Sequence, residues 1–195
     1  MRKVEVISRK RVFDDFFKID EALLRYERYD GTMSPVVRRL CFERGDSAAA
    51  LLVNVQRRCV HLTEQFKYPA LEKAGGWLPD LVAGMIEAGE TPEAAIRREI
   101  AEEAGFEAAT LEPIASVFVS PGGSSERIFL FCARVTDAAR KSAGGGVAGE
   151  AEDIKVLEWP IDAYLAKVAA GDLPDAKLLI AGYWLKDNLA RLMRA

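Results

Sequence analysis

Residues 84–106 read GMIEAGETPEAAIRREIAEEAGF, and this stretch carries the clearest structural signal in the chain. Thr91 can cap the free backbone N–H groups of a helix, Pro92 suits the first helical position, and Glu93 complements the helix dipole. Gly105 stands where a helix commonly ends in a left-handed residue. The stretch therefore predicts a helix that begins at Pro92 and ends just before Gly105.

Three carboxylates cluster on this predicted helix. Glu99 and Glu103 are four residues apart, so their side chains share one face, with Glu102 beside them. Like charges at this spacing destabilise a helix, and a hard divalent cation among them would offset the repulsion. Arg98 lies four positions before Glu102 and can orient it, and Glu90 lies just upstream. An acidic, solvated helix face is the alternative interpretation of the same residues.

The spacing around these carboxylates resembles the Nudix box, GX5EX7REUXEEXGU, where U is a bulky apolar residue. Gly84 is followed after five residues by Glu90, and after seven more by REIAEEAGF at 98–106. Every fixed position of the motif is filled. Chance agreement at so many specified positions is negligible, so the resemblance to the Nudix family is specific.

Flanking segments look like one branch of that family, the ADP-ribose and GDP-mannose pyrophosphatases. These segments are EQFKYPA (64–70), SPGGSSERIFLF (120–131) and GEAEDIKVLEWP (149–160), and the similarity covers most of the chain from about Asp14. It implies an α/β/α sandwich around a mixed sheet, preceded by a small antiparallel β-region that helps to form a homodimer. We expect the β-region to span residues 1–48 and the hydrolase domain residues 49–195.

Local patterns agree with an α/β chain. The alternating runs VEVISRKRVF (4–13), LLRYERYD (23–30) and VVRRLCFE (36–43) predict a small antiparallel sheet. Further strands are predicted in AAALLVNVQ, HLTEQFKYPA, ASVFVS, RIFLFCARV and IKVLEWP. Residues 71–90 predict loops with a short strand near Asp80 to Val82. Two helices are predicted to follow residue 160, the second from about Asp175 to Arg194.

The resemblance also implies roles for the residues of the box. It makes the carboxylates of Glu99 and Glu103, and the carbonyl of Ala83, ligands of a metal. The remaining box residues with an implied role are Glu102 and Arg98 in catalysis, and Gly84 and Glu90 in support. Carboxylate and carbonyl oxygens suit Mg²⁺, with Mn²⁺ as a substitute, and such cations neutralise phosphate charge during attack.

A second acidic segment, Glu150-Ala151-Glu152-Asp153, occupies the place where that branch of the family completes its site. By position, Glu150 is the candidate general base and Glu152 a further metal ligand. A base on a glycine-rich loop can activate water once substrate has closed the site. An ordinary polar loop is the alternative interpretation.

Candidate substrate contacts lie outside the box. Arg57 and Lys67 could hold phosphates, although the family often has arginine where Lys67 stands, and lysine cannot grip a phosphate in a bidentate manner. Glu126, in the turn-rich segment after Ser120, could accept a hydrogen bond from a sugar or a base. A simple hairpin turn is the competing explanation for that segment.

Composition restricts the class of protein. The 195 residues carry a net charge of −3, which disfavours an extended nucleic acid as partner. An apolar run long enough for a membrane span is absent from the sequence, and we expect a cytoplasmic protein. Cys41, Cys59 and Cys132 lack CxxC spacing, which argues against a disulfide framework or a zinc module. The lone His61 is expected at a strand end, at the surface or hydrogen bonded.

The sequence therefore predicts a Mg²⁺-dependent pyrophosphohydrolase that cleaves a nucleoside diphosphate sugar, of the ADP-ribose or GDP-mannose type, to a nucleoside monophosphate and a sugar phosphate. Dinucleoside polyphosphates or NADH are alternative substrates, and the NADH variant is weakened by the lack of a recognisable zinc module. A regulator that binds nucleotide sugars without hydrolysis is a further alternative. Loss of the box glutamates would favour that regulator, and here all of them are present.

Overall fold

The computed structural model describes residues 2–147, 149 and 152–194. The chain divides into two compact units, one made of Met1–Asp46 and Phe118–Arg127, the other of Ser47–Val117 and Ile128–Ala195. The first unit therefore combines the N-terminal residues with one short segment from the middle of the chain. The domain boundary predicted at residue 48 stays a prediction about domain organisation.

The first unit contains a three-stranded antiparallel sheet of order β1-β2-β3. The strands are β1 (Val4–Asp14), β2 (Lys18–Tyr26) and β3 (Val37–Glu43). Ion pairs cross the sheet, and Glu21 of β2 lies between Lys10 of β1 and Arg38 of β3. The small antiparallel sheet predicted from the alternating runs is confirmed.

The second unit is built on a mixed sheet of order β10-β5-β4-β9-β8, with β6 beside β5 and β7 beside β4. Its strands are β4 (Ser47–Asn54), β5 (Cys59–Phe66), β6 (Trp77–Asp80), β7 (Val82–Met85), β8 (Thr110–Phe118), β9 (Arg127–Arg134) and β10 (Lys155–Pro160). Strand β4 pairs in parallel with β9 and antiparallel with β5 and β7. The parallel pair makes the sheet mixed, as predicted.

Helices cover both faces of this sheet. They are α1 (Leu71–Ala74), α2 (Pro92–Ala104), α3 (Ile161–Ala170) and α4 (Ala176–Leu192). Every residue of β4 is buried, because Ala48, Ala50 and Leu52 pack on the α2 side while alternate residues pack on the side of α3 and α4. The period of two follows from the pleat of a strand. The result is the α/β/α sandwich that the sequence implied.

The ends of α2 agree with the signals in its sequence. The Thr91 hydroxyl accepts a hydrogen bond from the N–H of Ala94 at 3.2 Å, and Pro92 is the first helical residue. Gly105 follows the helix with a φ of 73°, in the left-handed region. The predicted helix is therefore confirmed at both ends.

Three details differ from the sequence predictions. Residues 71–74 form a helical turn instead of a loop, ended by the left-handed Gly75. The single strand predicted near Asp80 is two strands, β6 and β7, which pair with different neighbours. His61 is buried within β5 and not at the surface, although it is hydrogen bonded as the other alternative had it, with Nε2 3.8 Å from Cys59 Sγ and its ring 4.7 Å from that of Phe106. Among the described residues, no helix is long and apolar enough to cross a membrane.

Candidate active site

Strand β7 and helix α2 bring the box residues together. Gly84 lies directly against Glu99, since a Cβ built on this glycine would be 1.7 Å from Glu99 Oε1. The N–H of Ala83 donates to Glu103 Oε2 at 3.1 Å. Only glycine leaves room for the Glu99 carboxylate at this position. The strand thereby fixes where both helix carboxylates stand.

Arg98 is the centre of the charged network. Its guanidinium contacts Glu90 through two hydrogen bonds of 3.1 and 3.2 Å, and its Nη1 donates to Glu99 at 2.7 Å and to Glu102 at 3.3 Å. A fourth acceptor is the carbonyl of Met85, at 3.1 Å. These contacts raise the pKa of Arg98 further above its ordinary value. The guanidinium therefore stays charged and contacts three carboxylates at once.

Glu103 is the most perturbed carboxyl of the cluster. Burial raises its pKa from the ordinary value of 4.5 to about 8, and the charges of Glu99 and Glu152 push in the same direction. Burial also raises the pKa of Glu99. An acidic face exposed to solvent would not show these shifts. The alternative interpretation of the helix as a plain solvated surface is therefore wrong for Glu99 and Glu103.

A glycine-rich loop closes over the end of α2. The N–H groups of Gly145 and Gly146 donate to the carbonyls of Glu103 and Glu102 at 2.9 and 3.1 Å. A Cβ on Gly146 would lie 2.4 Å from Glu152 Oε2, so glycine permits this approach as well. The N–H of Val147 donates to the same Glu152 oxygen at 3.1 Å. The loop thus brings Glu152 close to the helix carboxylates, while Glu150 lies outside the described residues.

These residues form a donor set suited to a hard divalent cation. The hydrogen bonds that hold Glu103 and Glu152 come from backbone N–H groups, which orient a carboxylate without neutralising its charge. Ionised carboxylates gathered at one buried place repel each other unless a cation joins them. Burial is the main cause of the raised pKa of Glu103, and the charges of Glu99 and Glu152 act in the same direction. Mg²⁺ or Mn²⁺ therefore fits the residues present.

Lys67 lies close enough to lower the pKa of Glu103, but its ammonium group pairs with a carboxylate. Lys67 Nζ is 2.8 Å from one oxygen of the buried Asp80, and Lys177 Nζ is 3.1 Å from the other. Lys177 also pairs with Asp175, the N-cap of α4. This network was not anticipated from the sequence. Its only sequence signal is Asp175 at a helix start, because Asp80 and Lys177 are distant in the chain.

Arg57 is not brought to the cluster. It lies in the turn between β4 and β5, where its guanidinium is 2.8 Å from Glu158 and 3.7 Å from Asp137. Ala83 pairs with Ala49 at the other end of β4, five residues from Asn54, or about 16 Å along a strand. Arg57 thus joins strand β10 to the hairpin, and the phosphate contact predicted for it stays a prediction.

Glu126 belongs to the first compact unit. Its carboxylate is 3.6 Å from Arg44, and its side chain is largely covered. Its neighbour Ser125 donates to Glu43 at 2.7 Å, which ties this segment to the end of β3. The predicted contact between Glu126 and a substrate stays a prediction.

The family model and the similar proteins of known name indicate the same family for this chain. The model of the NUDIX domain matches residues 43–177. The chain is 39% identical to an ADP-ribose pyrophosphatase of Escherichia coli (strain K12) over 184 residues, which cover 94% of this chain and 88% of that protein. It is 36% identical to a GDP-mannose pyrophosphatase of Enterobacter sp. (strain 638) over 190 residues, covering 94% and 95%.

A solved structure agrees with the fold. The crystal structure of an ADP compounds hydrolase superposes with a TM-score of 0.68 and covers 95% of this chain and 96% of its own. The two sequences are 20% identical, so this likeness bears on the fold alone.

Proposed function

The chain belongs to the Nudix family, and from this premise we propose that it is a Mg²⁺-dependent pyrophosphohydrolase of nucleoside diphosphate sugars. The products are a nucleoside monophosphate and a sugar phosphate. The observation that carries the proposal is the contact of Gly84 with Glu99 beside Arg98, whose guanidinium also contacts Glu90 and Glu102. The substrate class rests on the relatives, which are named for ADP-ribose and GDP-mannose.

We assign the metal to Glu99, Glu103, Glu152 and the carbonyl of Ala83. When bound, Mg²⁺ supplies charge neutralisation to a diphosphate and to its attacking water. Glu103 and Glu99 are held in place before any ligand arrives, by the N–H of Ala83 and by Arg98. Such pre-organisation reduces the reorganisation needed at the transition state. Mn²⁺ would satisfy the same oxygen ligands.

The remaining roles follow from position. Arg98 fixes Glu90, Glu99 and Glu102, so it acts on catalysis by positioning carboxylates. Lys67 lies beside the cluster and would bind a substrate phosphate in exchange for part of its contact with Asp80. Glu150 stays the predicted general base, because it is two residues from Glu152 in the same acidic segment.

A homodimer is part of the proposal. Strand β1 is an edge of its sheet, and it exposes apolar side chains that include Val4, Val6, Ile7, Val12 and Phe13. An exposed apolar edge strand invites pairing with another chain. A second copy of this chain is the occupant we propose. We also place the protein in the cytoplasm, since its three cysteines are free thiols.

The first experiment measures phosphate release in a phosphatase-coupled assay, with and without Mg²⁺ and then with Mn²⁺. Candidate substrates are ADP-ribose, GDP-mannose, ADP-glucose, UDP-glucose, NADH and diadenosine polyphosphates. Metal-dependent turnover of a sugar nucleotide supports the proposal. Preference for NADH or a dinucleoside polyphosphate would replace it with the second substrate class. A stable nucleotide-sugar complex that is never hydrolysed would support the binding-only regulator.

One variant pair tests the metal assignment in the same assay. Glu103→Gln removes a charged ligand while keeping its shape, and we expect turnover to fall by more than about 100-fold. Glu107→Gln is the matched control, because Glu107 is exposed and lies just after the helix. Near-normal turnover of Glu103→Gln would remove Glu103 from the metal site.

A further inference from the structure

A second group of metal-binding side chains lies away from the carboxylate cluster. Cys59, His61 and Glu158 each offer one ligand atom, and these atoms all lie within 4.8 Å of one another. We propose that they bind one zinc-class divalent cation, separate from the Mg²⁺ site and independent of the pyrophosphatase activity. The proposal rests on the geometry of two paired strands.

The strands place all three side chains on one face. Cys59 and His61 are two residues apart on β5, so they point the same way. Glu158 of β10 is the direct partner of His61 in the antiparallel register. Since a directly opposed pair shares one face of a sheet, its carboxylate stands beside the imidazole. The register of β5 and β10 thus brings the three ligand atoms within 4.8 Å of one another.

The observed separation agrees with coordination of one ion. Cys59 Sγ and His61 Nε2 are 3.8 Å apart. For a tetrahedral zinc ion with bonds of about 2.3 Å to sulfur and 2.0 Å to nitrogen, the two ligand atoms would be about 3.5 Å apart. The two atoms thus already stand within a few tenths of an ångström of ligand geometry.

The charges of the three side chains and their access to solvent also fit a bound divalent cation. Burial lowers the pKa of His61 and so keeps its ring neutral, as a ligand must be. Burial raises the pKa of Cys59, so the thiol releases its proton only as the cation binds, and the resulting thiolate and the Glu158 carboxylate then balance the divalent charge. Glu158 is the exposed member of the group, so its side is the one open to solvent. Arg57, at 2.8 Å from Glu158, orients the carboxylate. Phe106 covers the imidazole ring from inside.

The sequence alone does not reveal the grouping of Cys59, His61 and Glu158. Structural zinc modules are usually recognised from paired cysteines, whereas here one cysteine and one histidine alternate along a strand. The carboxylate comes from a strand near the end of the domain. Cys132, the other buried thiol, lies on the face toward α3 and α4 and serves as a matched control.

The test is a Co²⁺ titration of the purified protein, with excess Mg²⁺ present to fill the carboxylate cluster. Cobalt bound by a thiolate gives a charge-transfer band in the near ultraviolet that oxygen ligands do not give. We expect the band to saturate at one equivalent and to disappear on addition of Zn²⁺. It should be lost in Cys59→Ser and in His61→Gln, and kept in Cys132→Ser and Glu103→Gln. A band that persists in Cys59→Ser, or no band in the wild-type protein, overturns the proposal.

A second measurement needs no variant, in case a substitution in β5 prevents folding. X-ray absorption of the Zn²⁺ complex should show a sulfur neighbour at about 2.3 Å and a nitrogen neighbour at about 2.0 to 2.1 Å. A shell of oxygen neighbours alone would overturn the assignment. Turnover measured before and after zinc removal is expected to be unchanged when Mg²⁺ is present, which separates this site from the proposed function.

Discussion

Gly84 packs so closely against Glu99 that a Cβ on the glycine would lie 1.7 Å from the Glu99 carboxylate oxygen. The relationship joins β7 to α2 at the point where the proposed metal binds. In Gly84→Ala, the Glu99 side chain must move, and overpacking of this kind costs about 1–3 kcal/mol. We expect a lower melting temperature and at least about a ten-fold loss of turnover, because a displaced ligand loses productive geometry.

A compensating substitution checks the cause of that loss. Glu99→Asp shortens the side chain by one methylene, so Gly84→Ala/Glu99→Asp should melt at a higher temperature than Gly84→Ala alone. Calorimetry of the two single variants and the double variant measures the coupling. Simple additivity of the two effects would show that the residues do not compete for space.

The second prediction concerns pH and the metal-free protein. The pKa of Glu103 is raised to about 8 in the folded state, so the folded protein holds a proton that the unfolded chain releases above its ordinary value of 4.5. This contribution to stability is complete below about pH 4.5 and is lost as pH rises through about 8. In the presence of a chelator, the melting temperature should therefore fall between about pH 5 and about pH 8.

The Glu103→Gln variant is the control for this pH dependence of the melting temperature. Without a titratable carboxyl at this position, the decline across that range should be smaller. Saturating Mg²⁺ should also flatten it in the wild-type protein, because the cation favours the ionised form. Identical pH profiles for the wild type and the variant would exclude Glu103 as the source.

Replacement of Arg98 by lysine should impair turnover or metal binding. Lysine keeps the charge, but it cannot make the two-pronged contact with Glu90 while also reaching Glu99 and Glu102. We expect Arg98→Lys to lower turnover or apparent Mg²⁺ affinity by about 10- to 100-fold. Arg97→Lys is the control, since Arg97 donates to the carbonyl of Ala108 and not to the cluster. Equal effects of the two variants would contradict the positioning role.

The two candidate phosphate contacts should behave differently. The charge of Lys67 is close enough to lower the pKa of Glu103, whereas Arg57 lies at the far end of β4. Lys67→Ala should raise KM by about ten-fold or more, in line with the loss of a charged hydrogen bond. Arg57→Ala should change KM less. A larger rise in KM for Arg57→Ala would restore the role predicted for it from sequence.

The oligomeric state can be tested on β1. Val4 and Val6 lie on one face of the edge strand, and both are exposed. The double variant Val4→Lys/Val6→Lys should dissociate the proposed dimer in light scattering at micromolar concentration, because charged residues block edge pairing. Val36→Lys is the control, as Val36 is equally exposed but lies outside β1. A monomeric wild-type protein would refute the dimer.

Local signals in the sequence were sufficient for much of the fold. Helix α2 was predicted correctly because Thr91, Pro92 and Gly105 act within a few residues of where they stand. Alternation along the first three strands predicted their sheet. The short helix α1 was not predicted, since a helix of four residues is too short to show periodicity in the sequence.

The carboxylate cluster was predicted from a family motif, and its electrostatics were not. Burial decides the raised pKa of Glu103, and burial depends on packing that spacing does not reveal. The contact of Asp80 with Lys177 and the grouping of Cys59 with Glu158 join distant parts of the chain. Such contacts follow from strand order, which local pattern does not determine.

Asp80 and Lys177 have a consequence for how this chain can change during evolution. Both side chains are nearly enclosed, and each has one further partner, Lys67 for Asp80 and Asp175 for Lys177, so loss of either member leaves a buried charge with a single remaining partner. Such a loss is destabilising, by less than the roughly 3–5 kcal/mol of a fully unpaired buried charge. Most domains have only about 5–15 kcal/mol to lose. Relatives of this protein should therefore keep the pair, or replace both members together, and the two alignment columns should covary.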